Sequence, residues 1–362
     1  MIFLCLLVFI VLYLFFHCRG VLPGMRGTIL AALLIGLYFC GFSQRETLAG
    51  AVLSAFLTVF FCESVLLFVA WDVVYGLVSL FRRRTNRRLR IGGNRVAMSL
   101  GLLMTIAFFA LGIPQNQDYR IREQVVRLPS AARPFSAVFF SDLHMDPLFQ
   151  REKLLRFAAD LDSISPDFVL FGGDLADVDD KTLRAKGYDS LFRKISGAAK
   201  VGAFGIVGNH EAIMEKSGSR PGTWMRENGM TVLEDSTVCT EWVCITGRVD
   251  FQVARLRGKE RLPLSEMLPP DSLPWILLDH QPKGVESGYE GRLPTLGLSG
   301  HTHNGQFFPA TEFIGFFWRL AVGYGILDGV PWLVSAGIDS WGPPVRVGSE
   351  PDFWVIRFES SK

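Results

Sequence analysis

The sequence predicts an α/β domain of two packed sheets, with its site at the carboxyl ends of the strands, preceded by a helical membrane region. Three observations predict it. Apolar residues are concentrated before about residue 113, while the remainder has the composition of an ordinary globular domain. From residue 114 onward, short β-rich runs alternate with polar segments of helical spacing. Five of the six histidines follow directly after predicted strands, among Asp, Asn or Gly.

The 362 residues divide into transmembrane helices at 1–113, a linker at 114–133 and a globular domain at 134–362. Net charge is +2, an average over two unlike halves that by itself decides nothing. The one basic run lies between apolar segments, which indicates membrane topology and argues against nucleic-acid binding.

Four apolar blocks, 1–16, 27–43, 47–81 and 96–113, predict about four spans, each needing about 20 mostly apolar residues. The first lacks a basic start and a small-residue cleavage site, so it reads as a retained anchor. The third is too long for one upright span and too short for two with a turn. It is expected as one tilted helix emerging into water near Asp72. It also contains Glu63. A carboxylate at a helix centre costs about 3 kcal/mol, so both acids are expected to face another helix or an interface. A proton relay at Glu63 is the sharper reading, a helix-paired carboxylate the plainer one.

Between the third and fourth blocks stand seven arginines (Arg82, Arg83, Arg84, Arg87, Arg88, Arg90 and Arg95) and no acid. The positive-inside rule makes this loop cytoplasmic. With 96–113 crossing, the rest of the chain is expected on the non-cytoplasmic side of a bacterial-type inner or plasma membrane. The same arginines also suit anionic lipid headgroups.

Cys5, Cys18, Cys40 and Cys62 lie in or beside apolar stretches, where a thiol behaves as a small hydrophobe. Cys239 and Cys244 can meet across a hairpin as a disulfide, with two free thiols as the simpler expectation. No CxxC spacing supports a structural zinc site.

In the globular half, a strand at 136–140, a helix at 151–161, a strand at 167–171, an amphipathic segment at about 179–195 and a strand at 201–207 make the first sheet. Runs at 231–234, 243–247, 275–278, 295–299, 332–335 and 353–358 then follow as consecutive strands, which suggests a second sheet packed on the first. Asp142 and His144, two apart beyond a strand, can aim at one metal. Gly172 and Gly173 allow close backbone approach and leave Asp174 free to bridge two ions. Asn209 offers a neutral oxygen, His210 beside it can remain an unligated acid, and His301 and His303 repeat the two-residue spacing. Histidine with carboxylate and no thiolate suits divalent transition metals. Any one such pair is weak; the set in this order is specific.

The segments SDLHMD, GGDLAD, GNHE, LLDHQP and GHTHNGQ together resemble the calcineurin-like metallophosphoesterase family over roughly residues 134–360. The apolar beginning and the closing SAGIDSWGPPVRVGSEPDF are similar to its membrane-anchored YaeI/YkuE-like branch. The resemblance implies a two-sheet αββα sandwich and two divalent ions, Mn, Fe or Zn. Asp142, His144, Asp174 and His303 would hold one ion, and Asp174, Asn209, His280 and His301 the other. His210 would be the general acid, its ring held by Asp177 or a neighbouring backbone group; a merely structural His210 is the alternative. The implied reaction is hydrolysis of a phosphate ester or pyrophosphate, lipid-linked in one version, by hydroxide from a metal-acidified water. A UDP-2,3-diacylglucosamine-type hydrolase of lipid A synthesis is one alternative, although it belongs on the cytoplasmic face. A non-catalytic metal-binding membrane sensor is the other. Gln306 and Arg346 are candidate substrate-phosphate contacts or simple structural links. Two departures stand out. Asn304 replaces a glycine, which Asn tolerates, and Asp279 adds a carboxylate expected to affect the basicity of His280.

Overall fold

The computed structural model describes residues 2–22, 24–82, 87–270, 272–287 and 289–361. The chain forms two compact units, one of Met1–Ile113 with Gly342–Pro344, the other of Pro114–Trp341 with Val345–Lys362.

The first unit is helical, with α1 (Ile2–Val21), α2 (Met25–Ser43), α3 (Leu48–Arg82) and α4 (Arg87–Gln117), the last running on past Ile113. Among the described residues, α2, α3 and α4 are long and apolar enough to cross a membrane, while the described apolar stretch of α1, Ile10–Val21, is shorter. Residues 83–86 of the arginine loop lie outside the described residues. The long third block is a single unbroken helix of 35 residues. Glu63 is fully buried within this helical unit. Asp72 accepts a hydrogen bond from Tyr13 at 2.9 Å and lies 3.0 Å from His17 Nε2, so it faces another helix, α1, with its side chain still 36% exposed. His17 Nδ1 in turn meets Asn94 Oδ1 of α4 at 3.2 Å.

In chain order the second unit contains β1 (Arg120–Leu128), β2 (Phe135–Phe140), α5 (Arg151–Ile164), β3 (Phe168–Phe171), α6 (Asp180–Ala185), α7 (Tyr188–Gly197), β4 (Gly202–Gly205), α8 (Asn209–Lys216), α9 (Pro221–Glu227) and β5 (Thr231–Val232). There follow β6 (Ser236–Cys239), β7 (Cys244–Gly247), α10 (Phe251–Leu256), β8 (Trp275–Leu278), β9 (Leu296–Ser299), α11 (Ala310–Phe313), β10 (Gly323–Leu327), β11 (Val330–Val334) and β12 (Asp352–Ser360). They form two mixed sheets, β1-β12-β2-β3-β4-β5 and β10-β11-β9-β8-β7-β6.

Strand alternation sorts side chains into layers. Ala137 and Phe139 of β2 join Ile276 and Leu278 of β8 in the core between the sheets. Val138 and Phe140 face the other way, onto Leu154, Phe157, Ala158 and Leu161 of α5, which recur at helical spacing. The outer face of the second sheet, with Trp275, Leu277 and Trp332, packs on Leu264 and Met267 of a short 3-10 turn.

Three local expectations change. The segment 114–133 is no linker throughout, because β1 pairs in parallel with β12 from Arg120↔Asp352 to Leu128↔Ser360. Its sequence RIREQVVRL hid this: it is an edge strand that buries Val126 and Leu128 while its other residues stay at least partly exposed. The amphipathic segment 179–195 divides into α6 and α7 where Gly187 turns left-handed at φ 67°. Cys239 and Cys244 are joined by a disulfide, because the β6–β7 register sets them directly opposite.

Candidate metal centre

Parallel pairing of β2 with β3 and β3 with β4, and of β7 with β8 and β8 with β9, turns the carboxyl ends of these strands to one edge. Asp142 and His144 follow β2, Asp174 follows β3, and Asn209 and His210 open α8 after β4. His280 follows β8, and His301 and His303 follow β9. All eight meet there. Such crevices at strand ends are where open α/β sheets bind ligands.

Reaching a common point requires unusual backbone. Asp142, His144, Asp174, His301 and His303 all have φ between 41° and 73°. This left-handed region is costly for non-glycine residues and is retained where surrounding structure enforces it. Two glycines make room. A Cβ on Gly173 would lie 2.6 Å from the backbone N of Gly208, and one on Gly300 would lie 2.1 Å from Asp142 Oδ2.

Two groups of ligating atoms result: Asp142, His144 and His303 in one, Asp174, His280 and His301 in the other. His303 Nε2 lies 3.1 Å from His144 Nε2 and 3.5 Å from Asp142 Oδ1. Asp174 Oδ2 lies 3.6 Å from His144 Nε2 and 3.1 Å from His280 Nε2, so this carboxylate stands between the groups. Asn209 Oδ1 is 3.1 Å from His280 Nε2. His280 Nδ1 donates to the Gly172 carbonyl at 2.8 Å, which turns Nε2 toward the centre.

A further trio is His144, Asp177 and His210. Asp177 Oδ1 lies 2.5 Å from His210 Nδ1, and Oδ2 lies 3.3 Å from His144 Nδ1. Burial alone would depress the His210 imidazole, but the charges of Asp177 and Asp174 and the Asp177 hydrogen bond together outweigh it and lift His210 to about 9. Burial works against the Asp174 carboxylate, yet His280, His210 and His144 hold it well below its ordinary value. His301 is pushed down to about 3 by burial and by the neighbouring His280 charge. The donors are carboxylate, amide oxygen and imidazole, a set that fits divalent transition metals.

Arg346 and Gln306 take the structural of the two roles the sequence left open, and Asp279 is engaged away from His280. Arg346 is fully buried; it donates to the carbonyls of His303, Ala336 and Asp339, so it buttresses the His303 loop and does not face substrate. The Gln306 amide bonds both backbone groups of Trp341, at 3.0 Å and 2.9 Å. Asp279 is taken by Arg261 at 2.6 Å, and the carboxylates that raise His280 are Asp174, Asp142 and Asp250. Asn304 occupies the left-handed region at φ 49°, as its side chain permits.

Glu211 was not singled out in the sequence. Fully buried, it accepts from the backbone N–H groups of Asp174, Leu175 and Gly208, and so ties the β3 loop to the start of α8. Its spacing, three residues after Gly208, is the capping-box signal that would have found it.

A family model for calcineurin-like phosphoesterases matches residues 135–305. The chain is 27% identical over 255 residues to a Bos taurus protein named transmembrane protein with metallophosphoesterase domain, covering 66% of this chain and 56% of that protein. It is 29% identical over 246 residues to an uncharacterized metallophosphoesterase of Helicobacter pylori, covering 66% and 63% of the two chains. Over 321 residues it is 26% identical to the uncharacterized metallophosphoesterase Cj0846 of Campylobacter jejuni, covering 84% and 82%. The chain thus spans between about half and two thirds of the length of the first two relatives. With the matched residues holding all eight converging side chains, and β1, β10, β11 and β12 completing the sheets around them, the chain carries a calcineurin-like metallophosphoesterase domain, the fold of metal-dependent phosphoester hydrolases.

Proposed function

We propose that the centre holds two divalent cations and hydrolyses a phosphate ester or pyrophosphate of a lipid-linked substrate on the non-cytoplasmic side of a membrane. The observation that carries the two-cation reading is the Asp174 carboxylate, placed between His144 on one side and His280 on the other. Asp142, His144, Asp174 and His303 would hold one ion, and Asp174, Asn209, His280 and His301 the second. Bound there, such ions supply an attacking hydroxide at neutral pH and neutralise phosphoryl oxygens.

The chain's own residues do the rest. Asp177 accepts from His210 Nδ1 and keeps that ring oriented with Nε2 free. It also keeps the ring protonated at neutral pH, so His210 is charged to give a proton to the leaving oxygen. Gly172 and Glu211 fix the positions of His280 and of the Asp174 backbone.

Two features support the placement outside the cytoplasm: the arginine-rich loop before α4's apolar stretch and the Cys239–Cys244 disulfide, a bond that persists in oxidising compartments. The three candidate spans support a bilayer-borne substrate, since they confine the enzyme to the membrane that contains it. The test is the purified full chain loaded with manganese, assayed on a monoester, a diester and a lipid pyrophosphate, with metal content measured alongside. Two ions per chain with turnover is the expected result. Two ions and no turnover on any ester would leave a metal-binding sensor. A phosphatase reporter joined after residue 362 tests the side of the membrane, and an inactive reporter overturns the external placement.

A further inference from the structure

Of the eight converging residues, six are buried, and only His210 and His301 reach toward solvent. Each of these two imidazoles meets the edge of a tryptophan. The Trp341 ring lies 5.7 Å from His210 at 72°, and the Trp318 ring lies 5.1 Å from His301 at 77°. Trp341 is half-exposed yet held in place, because the Gln306 amide grips both its backbone N–H and its carbonyl. Immediately before Trp318, the run Phe313-Ile314-Gly315-Phe316-Phe317 contains no polar side chain. Its Phe313, Phe316 and Phe317 are 50%, 82% and 79% exposed. Single exposed apolar residues are ordinary, but three exposed aromatic rings within the five residues that lead into Trp318, itself against His301, mark a binding surface.

We propose that Trp341, Trp318 and the 313–317 run form an apolar vestibule that takes the acyl chain of a membrane lipid whose phosphoester enters the centre, an inference that rests on the phosphoesterase reading above. A phosphate at the ligand cluster has its open side at His210 and His301, so its substituent leaves along the two tryptophans. A sugar or nucleotide there needs hydrogen-bonding partners, which 313–317 does not offer. An acyl chain needs only apolar surface, and aromatic rings suit the boundary between bilayer and water. The candidate spans of the same chain keep acyl chains within reach.

The test uses the full chain in nanodiscs with manganese and two chromogenic diesters, ethyl and octyl p-nitrophenyl phosphate, which differ only in the tail. Wild type is expected to favour the octyl ester by about tenfold or more in kcat/KM, since each buried methylene contributes to binding. The double variant Phe316→Ser/Phe317→Ser alters two exposed rings and no ligand; it should keep the ethyl-ester rate and lose the preference. Equal preference in variant and wild type, or no preference in wild type, overturns the vestibule. If neither ester is turned over, the phosphoesterase reading fails separately, and binding of octylphosphonate against ethylphosphonate decides. Tighter octyl binding that the double variant abolishes keeps the vestibule; equal binding removes it.

Discussion

Two clusters of histidine and carboxylate among the described residues are built in opposite ways. In the helical unit, His17, Asp72, Tyr13 and Asn94 sit on regular helices, and each side chain finds a partner among the others at 2.9–3.2 Å. In the globular unit, Asp142, His144, Asp174, His301 and His303 adopt left-handed backbone, and their ligating atoms face one another. His144 Nε2 and His303 Nε2 stand 3.1 Å apart, an arrangement two neutral imidazoles satisfy only when one of these nitrogens carries a hydrogen and the other does not. The first cluster removes the cost of burying polar groups in an apolar helix bundle. The second accepts backbone strain in order to converge lone pairs. Mutual satisfaction marks architecture, and strained convergence marks a site.

The sharpest way to break this contrast is Asp174→Asn, which keeps the shape of the side chain and removes the charge between the two ligand groups. We expect kcat/KM to fall by about a thousandfold or more with bound metal reduced, while circular dichroism and the melting temperature change little. Activity within about tenfold of wild type at two ions per chain would show that the convergence is not what it is taken for. The next largest effect belongs to His210→Gln. Loss of a proton donor costs about 10²–10⁴-fold for an alkoxide leaving group and far less for p-nitrophenolate, which leaves without a proton. Equal losses on both esters would reduce His210 to a structural group. Asp177→Asn should show the same leaving-group dependence at smaller size, about tenfold, because it acts through the His210 ring.

The contrast also explains what could be read from the sequence. The metal-site residues were legible because each follows a strand within a short motif, and strand ends converge whatever the loops between them. The first sheet was legible from runs such as FVLF, buried on both faces. By contrast β1 was not, since an edge strand with one buried stretch and many charges reads as a connection. Nor was the His17–Asp72 pair: its members are 55 residues apart and meet only when two helices pack. Arg346 and the disulfide were legible only as one of two readings each, because the choice depends on burial or register that no local pattern encodes.

His17→Leu probes the satisfied cluster. Removing the imidazole strips Asp72 of one partner and leaves the Tyr13 hydroxyl, so we expect about 1–3 kcal/mol of lost stability. The midpoint of thermal unfolding in detergent should fall by several degrees, with kcat/KM within about twofold of wild type. A tenfold loss of activity would place the helical cluster in the machinery and erase the distinction.

Asp352 supplies the smallest and most specific test, because it is a buried carboxylate in neither cluster. It accepts from the Ala336 N–H at 3.0 Å and the Ser335 hydroxyl at 2.6 Å, with Arg122 Nε at 3.0 Å. Burial nevertheless pushes it up to about 6, from 3.8 for a free side chain. A carboxyl raised in the folded state binds its proton more tightly there than in the unfolded chain. Its contribution to stability is therefore full below the free value and is lost as pH rises through about 6. Asp352→Asn cannot titrate, so relative to wild type it should gain stability between about pH 4.5 and pH 7.5. The gain in melting temperature should be about 2–6 °C. Comparing the two proteins at both pH values cancels the fixed cost of the amide. An offset that does not change with pH would mean that the Arg122 charge fully offsets burial, and that Asp352 is satisfied as completely as Asp72.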